Sequence, residues 1–203
     1  MRKITAGLFI SVDGVIADPQ DWHFPYFDEE MGEAVGAQLG AADTVLLGRV
    51  TYDSFAGAWP EREAASEEDA AMAKALGDAR KIVVSRQRLE FTWRNSEQLH
   101  GDLLEAVAAL KQEPGGTDIA MSGSPSIVRQ LLAAGLIDEL HLLVHPIAVR
   151  TGERLFDAGE PIPLTLLSAR AFRTGVIHTV YGPGQTETGG YDEAKVHLPQ
   201  AGS

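Results

Sequence analysis

The sequence predicts an α/β fold in which one largely parallel sheet lies between two layers of helices. Short apolar runs alternate with segments whose apolar residues recur every three or four positions, a pattern typical of strands alternating with helices. Glycine and proline follow several of the helical segments and end them. The last two apolar runs are separated by a short turn, so we expect an antiparallel hairpin at one edge of the sheet.

The elements follow from these patterns in chain order. In the first helical segment Met31, Val35 and Leu39 share one face, and in a later one Leu103, Val107 and Leu110 do the same. We expect helices at 28–39, 52–59, 102–111 and 127–134, with the charged segment 61–69 as a loop or a helix. We expect strands at 3–12, 44–47, 81–85, around Ile119 and at 139–144, a short strand at 91–96, and a hairpin formed by 164–173 and 175–181.

Length and composition indicate one domain without disulfides. The chain has 203 residues, 44% of them hydrophobic, which is enough for a single core. It carries a formal charge of −12, which opposes binding along a nucleic acid because each phosphate contact needs a basic side chain. Cysteine is absent, so thiolate metal sites and cysteine nucleophiles are excluded. With no apolar run near the roughly 18 residues of a membrane span and no signal segment, we expect a cytoplasmic protein.

Small and basic residues follow three of the predicted strands, where ligands bind in open α/β sheets. Ser122, Gly123 and Ser124 form a turn between a strand and a helix, where small residues and unpaired N–H groups suit a phosphate. Gly48 and Arg49 follow another strand. An ordinary helix cap explains the serines equally well. Arg49 and, after the third strand, Arg86 also fit ordinary surface residues, but the three sets together favour a phosphate site.

These strand ends and several other segments resemble the dihydrofolate reductase-like family, in its branch related to the C-terminal reductase domain of the bifunctional riboflavin biosynthesis proteins, RibD. The resemblance covers about residues 2–182, so we expect a reductase domain at 1–182 and a flexible polar tail at 183–203. It is carried, in the order of that family, by Ser11–Ala17, Leu46–Tyr52, Val83–Arg86, Ser122–Ser124 and Asp138–Leu142, with Pro146, Leu155 and Phe156.

The resemblance implies a dihydrofolate reductase fold that binds NADPH. By position, Gly48, Arg49 and Thr51 would meet the cofactor phosphates, and Ser85 with Arg86 the 2′-phosphate. The pyrophosphate would lie on Gly123, Ser124, Ser126 and Ile127, and the nicotinamide near Ile16 and Ala17.

The substrate side departs from true dihydrofolate reductases. In their W-x-L-P-x-D segment an aspartate contacts the pterin, but here Phe27 stands in that place and Asp28 comes one position later. Asp28 is therefore either a substrate contact or the N-cap of the following helix. Asp13, in an Asp-Gly turn, either lines the substrate mouth and assists proton delivery or is a turn residue. Among the aromatic residues, Trp22 and Phe24 are the best candidates for stacking on a heterocycle.

The prediction is an NADPH-dependent oxidoreductase that reduces a small pterin or aminopyrimidine, such as the phosphoribosylaminouracil of riboflavin biosynthesis. We expect catalytic roles for Asp13 and Asp28, no metal, no nucleic-acid or membrane partner, and a homodimer formed near 140–146. His141 and His145 are about 13 Å apart on a strand, too far to share a metal ion. The alternative is a noncatalytic sensor or sequestering homodimer that keeps the nucleotide site.

Overall fold

A computed structural model describes residues 1–65, 70–156 and 158–185. Eight strands form one sheet in the order β4-β3-β2-β5-β1-β6-β8-β7. The first six strands of this order are parallel, and β8 and β7 pair antiparallel at the edge. The strands are β1 (Ile4–Ser11), β2 (Ala42–Gly48), β3 (Arg80–Val84), β4 (Ser96–Gln98), β5 (Asp118–Ser122), β6 (Glu139–His145), β7 (Leu164–Ala171) and β8 (Ile177–Pro183).

In the described residues, five α-helices cover the two faces of this sheet. They are α1 (Glu29–Gly40), α2 (Arg49–Ala65), α3 (Ala70–Asp78), α4 (Leu103–Gln112) and α5 (Pro125–Ala133). Side chains of α4 and α5 pack with one face of the central strands, and side chains of α1, α2 and α3 pack with the other. The predicted three-layer arrangement with a mostly parallel sheet and an antiparallel edge is confirmed.

Aspartates fix the starts of two helices. Asp28 Oδ1 accepts a hydrogen bond of 3.0 Å from Met31 N, and Asp102 Oδ1 accepts bonds of 2.9 and 3.1 Å from the first turn of α4. Each carboxylate satisfies backbone donors that have no partner within the helix. The N-cap interpretation of Asp28 is therefore confirmed, and the strand-to-helix loop after β1 ends at that residue.

Two predicted elements differ from the structure. The helix expected at 52–59 begins at Arg49 and continues through Pro60 to Ala65. The strand expected at 91–96 is wrong for most of its length, because β4 covers Ser96–Gln98. Trp93 is instead buried, 4% exposed, in the core that packs around Tyr52. The predicted tail lies outside the described residues from position 186 onward. No helix in the described part of the chain could cross a membrane.

Candidate active site

The turn between β5 and α5 holds two consecutive residues in the left-handed region. Gly123 has φ 79°, and Ser124 has φ 60°, a conformation that costs a non-glycine residue energy. Hydrogen bonds of the Ser124 hydroxyl stabilise it there: Oγ accepts from Gly48 N at 2.7 Å and donates to Thr51 Oγ1 at 2.9 Å. The local turn thus depends on contacts with residues more than 70 positions away.

These hydrogen bonds bring the starts of two helices together. Helix α2 begins directly after Gly48, and α5 begins directly after Ser124. A Cβ on Gly48 would lie 3.1 Å from Ser124 Oγ and 3.1 Å from Ile127 Cδ1, so the close approach requires glycine. Both helix N-termini carry partial positive charge and N–H groups without helical partners, which favours an anion. We call Gly48, Thr51, Gly123 and Ser124 the cradle.

The structure brings most of the predicted phosphate-binding residues together. Ile127 packs against Gly48, as its distance to a Cβ there shows, and Ser126 lies exposed in the first turn of α5. The sequence prediction of their proximity therefore agrees with the geometry. Their role toward a phosphate remains a prediction.

The remaining candidates for contact with the cofactor phosphates are Ser85, Arg86 and Arg49. They lie at the same edge of the sheet but outside the cradle. Ser85 follows β3, the strand beside β2, and its Oγ accepts from Gln87 N at 3.0 Å. Arg86 is exposed. Arg49 pairs with Asp53 across one turn of α2 at 3.5 Å. Such an exposed pair contributes only about 0.3–0.5 kcal/mol, so Arg49 can be redirected toward a ligand at low cost.

Asp13 connects the turn after β1 with the loop after β6. Its Oδ1 accepts from Ser11 Oγ at 2.6 Å and from Val149 N at 3.0 Å, and its Oδ2 accepts from Arg150 N at 2.9 Å. These bonds, that from Ser11 foremost, lower the pKa of Asp13. A carboxylate held ionised by several donors is a poor proton donor near neutral pH. The geometry favours a positioning role over the predicted role in proton delivery.

The residues expected near the nicotinamide, Ile16 and Ala17, lie in the same segment after β1 as Asp13. Ile16 N donates to Glu153 O at 2.9 Å, and the Ile16 side chain is part of the core, 6% exposed. Ala17 O accepts from Trp22 Nε1 at 3.0 Å. The backbone of this segment can line a ligand, whereas the Ile16 side chain is already buried.

Trp22 and Phe24 differ in exposure. Trp22 is buried, 7% exposed, with its ring 5.1 Å from that of His145 in an edge-on arrangement. Phe24 is 62% exposed and covers the His23 ring at a centroid distance of 4.2 Å. Phe24 is therefore accessible to a ligand, whereas Trp22 is packed below the surface against His145.

Several buried polar atoms near the ends of β1 and β6 lack hydrogen-bond partners. Among the described residues there are six such side-chain atoms, and three of them are His23 Nδ1, Asp28 Oδ2 and His145 Nε2. A buried polar atom without a partner costs roughly 1–3 kcal/mol, so such atoms mark sites where a ligand can contribute. Asp28 thus has one oxygen on the helix cap and one that a substrate could use.

Sequence reasoning missed Phe9 and His23 and set His145 aside as a core-edge or interface histidine. They meet only in three dimensions, because Phe9 lies on β1 and His145 ends β6. No local pattern in the sequence shows this, because it depends on strand pairing. Phe9 pairs with Leu143 and Ser11 with His145, which puts Phe9 and His145 on the same face of neighbouring strands. Within the described chain no cluster of three potential metal ligands occurs.

The fold and the cradle define an α/β protein in which two helix N-termini meet at the carboxyl edge of the sheet, an arrangement that suits an anionic ligand. The sequence model of the RibD C-terminal domain matches residues 2–178. The chain therefore belongs to the RibD C-terminal domain family.

Individual relatives agree with this assignment. An uncharacterised Bacillus subtilis (strain 168) protein, YyaP, is 31% identical over 184 residues, covering 89% of this chain and 94% of that protein. A putative riboflavin biosynthesis protein from Shewanella sp. PV-4 has a TM-score of 0.67 at 18% identity, covering 90% and 99% of the two chains. Dihydrofolate reductase from Enterococcus faecalis, complexed with NADP(H), has a TM-score of 0.57 at 14% identity, covering 90% and 97%. These likenesses to solved structures show the fold.

Proposed function

We propose that this protein is an NADPH-dependent reductase that transfers hydride to a small planar nitrogen heterocycle of the pterin or aminopyrimidine type. The observation that carries the proposal is the cradle, where the Ser124 hydroxyl joins the N-termini of α2 and α5. Family membership supports it, as does the fold shared with an NADP(H) complex of dihydrofolate reductase.

The cradle fits a dinucleotide pyrophosphate. Gly123 leaves the backbone of its turn open to close approach, and Gly48 makes room for Ser124 and Ile127 between the two helices. The first turns of α2 and α5 offer N–H donors and positive helix ends. The Thr51 and Ser124 hydroxyls hold both turns in place. When bound, reduced nicotinamide supplies the hydride, and the protein contributes position, electrostatics and exclusion of water.

Residues after β3 would distinguish NADPH from NADH. β3 lies beside β2 on the side away from β1, so a dinucleotide with its pyrophosphate in the cradle extends its adenosine half toward Ser85 and Arg86. An exposed guanidinium forms bidentate hydrogen bonds with a phosphate monoester. Arg86 and Ser85 are proposed to hold the 2′-phosphate, and Arg49 to assist from the first turn of α2.

The substrate side is proposed to lie at the ends of β1 and β6. Phe24 offers an exposed aromatic face, and Asp28 Oδ2 is a buried acceptor without a partner. An amino-substituted ring presents N–H donors that a carboxylate accepts. Asp13 is proposed to hold the loops of this mouth in position. The first substrate to test is 5-amino-6-(5-phosphoribosylamino)uracil.

Turnover is tested by following NADPH oxidation with a panel of pterins, dihydropterins and aminopyrimidines, including that uracil. Substrate-dependent oxidation faster than the background supports the reductase. Saturable binding of NADPH without oxidation by any member would favour the alternative, a sensor or sequestering protein. Failure to bind NADPH at all would contradict both.

A homodimer through the β7–β8 hairpin is proposed in place of one through β6. β6 is an interior strand between β1 and β8, so its own backbone is already paired. The hairpin instead exposes large apolar side chains: Leu166 is 55%, Leu167 55% and Ile177 45% exposed. Light scattering is expected to give twice the mass of 21.8 kDa, and a monomer at all concentrations would contradict it.

The predicted cytoplasmic location is tested by fractionation of native cells.

A further inference from the structure

The imidazole of His23 lies between two aromatic rings at the carboxyl end of the sheet. It stacks on Phe9 with centroids 4.5 Å apart and planes 12° from parallel, and Phe24 covers its other side at 4.2 Å. Phe27 and His145 close the edges, each with centroids 6.0 Å from His23. We call the space bounded by these four rings the aromatic slot. Its shape fits one flat ring.

His23 fills the slot with one of its ring nitrogens left without a partner. The residue is 6% exposed, and its Nδ1 is buried without a hydrogen-bond partner. Stacking on aromatic rings is available to any flat ring of similar size. The contacts that hold His23 are therefore unspecific, and a ring with better-placed polar groups can make the same contacts.

The wall of the slot contains an unused acceptor. His145 is fully buried, and its Nδ1 lies 2.8 Å from Leu143 O. Because a carbonyl oxygen only accepts, Nδ1 carries the proton in the neutral ring, and Nε2 is left with a lone pair and no partner. A ligand with an N–H donor could satisfy this atom, which the neutral imidazole of His23 does not do in this structure.

The slot lies beside the cradle, along the path of a bound dinucleotide. Gly7 on β1 pairs with Ser122, the residue before the cradle turn, and Phe9 is two residues farther along the same face of β1. At ~3.3 Å per residue this places Phe9 about 7 Å beyond the level of the turn. A dinucleotide whose pyrophosphate lies in the cradle can therefore extend its nicotinamide half toward the slot.

We propose that the aromatic slot is the binding site for the planar ring of the substrate, and that the His23 side chain occupies it as a displaceable stand-in. The inference rests on the proposed function, which puts the substrate at the ends of β1 and β6, and adds that in the free protein the His23 ring holds this place. A neutral flat heterocycle that carries N–H donors would displace it. His23 precedes the one-turn 3-10 helix Phe24–Tyr26, so a small movement of that turn can withdraw the ring.

The variants His23→Ala and His23→Phe test this directly with 2,4-diaminopyrimidine as the probe, measured by isothermal titration calorimetry. Alanine empties the slot and removes the cost of displacement, so binding is expected to tighten by about 3- to 30-fold over the unmodified protein. Phenylalanine keeps the slot filled with a ring and is expected to bind the probe no better than the unmodified protein. Weaker or equal binding by His23→Ala would overturn the proposal.

A second measurement does not depend on the folding of a variant. In the unmodified protein, the NMR signal of the His23 ring, assigned through its bonds to the His23 backbone, is expected to move to the position of an exposed histidine when the probe saturates. An unmoved signal at saturation would overturn the proposal. NADPH affinity is measured alongside. If NADPH fails to bind while the probe behaves as expected, the proposed function fails and the slot stands.

Discussion

The cradle and the aromatic slot lie next to each other on one edge of the sheet but are built in opposite ways. The cradle consists of glycines, hydroxyls and helix N-termini, and Gly123 adds no side chain over its turn. The slot consists of rings from β1, the 22–27 segment and the end of β6, and a side chain of the protein already fills it. A backbone site for phosphate can be built in advance, whereas a slot lined by apolar rings is costly to leave open to water.

The largest effect is expected at the cradle, from Gly123→Val. The left-handed φ of 79° and the added side chain both oppose the observed turn, and the pyrophosphate would lose backbone donors worth about 1.5–3 kcal/mol each. NADPH binding measured by calorimetry should weaken by about 100-fold or more. The matched control is Gly135→Val, whose φ is 65° and whose Cβ would meet nothing within 4 Å. If both variants bind NADPH equally well, the turn is only a helix cap.

The next effect is expected on turnover and not on cofactor binding, at the slot side, from Asp28→Asn. Asparagine caps helices as well as aspartate, so stability should change little. Loss of the charged acceptor should lower kcat/KM by about 10- to 1,000-fold with NADPH affinity unchanged.

Asp13→Asn provides the contrast, because Asp13 already accepts from Ser11, Val149 and Arg150. It should lower the thermal midpoint more than Asp28→Asn does and turnover less. The reverse ranking would exchange the roles of the two carboxylates.

Cofactor choice should depend on Arg86. If its guanidinium holds the 2′-phosphate, Arg86→Ala should weaken NADPH by roughly 10- to 150-fold, equivalent to about 1.5–3 kcal/mol, and leave NADH unchanged. Arg88→Ala, an exposed arginine two residues along, is the control. Equal dissociation constants for NADPH and NADH in the unmodified protein would contradict the assignment.

The smallest expected effect is on how the free energy of unfolding depends on pH. It concerns His23 in the slot and not the cradle. Burial, and secondarily the neighbouring His145, lowers the pKa of His23 from 6.5 to about 4. The unfolded chain then binds a proton that the folded protein does not, so stability falls as pH decreases from 6.5 toward 4, by about 2–3 kcal/mol from this residue. Urea unfolding at pH 7 and pH 5 should show a smaller difference in His23→Phe than in the exposed-site control His100→Phe. Equal differences would show that His23 is not buried as neutral imidazole.

The sequence predicted the cradle better than the slot for a physical reason. Ser122, Gly123 and Ser124 are consecutive, and the strand-to-helix pattern around them is local. Phe9, His23 and His145 are distant in sequence, and their stacking depends on strand pairing that no local pattern shows. Asp13 illustrates the same limit, since its partners at Val149 and Arg150 could not be read from the Asp-Gly turn.

The periodicity of apolar residues predicted the helices and strands correctly except where contacts between distant segments determined the local structure. Helix α2 extends beyond the predicted 52–59, and in its last turn Glu63 forms a bidentate pair with Arg94 at 2.7 and 2.8 Å. The apolar run at 91–96 suggested a strand, but Phe91 and Trp93 pack beside Tyr52, with centroids 5.3 and 6.4 Å away. In both places tertiary packing overrode the local signal.

A crystal structure with NADPH would show whether a dinucleotide lies across the carboxyl edge of this sheet. We expect the pyrophosphate against Gly123, Ser124 and the first turn of α5, the 2′-phosphate at Arg86, and the nicotinamide toward the ends of β1 and β6. NADPH bound elsewhere on the protein, with the cradle empty, would contradict it.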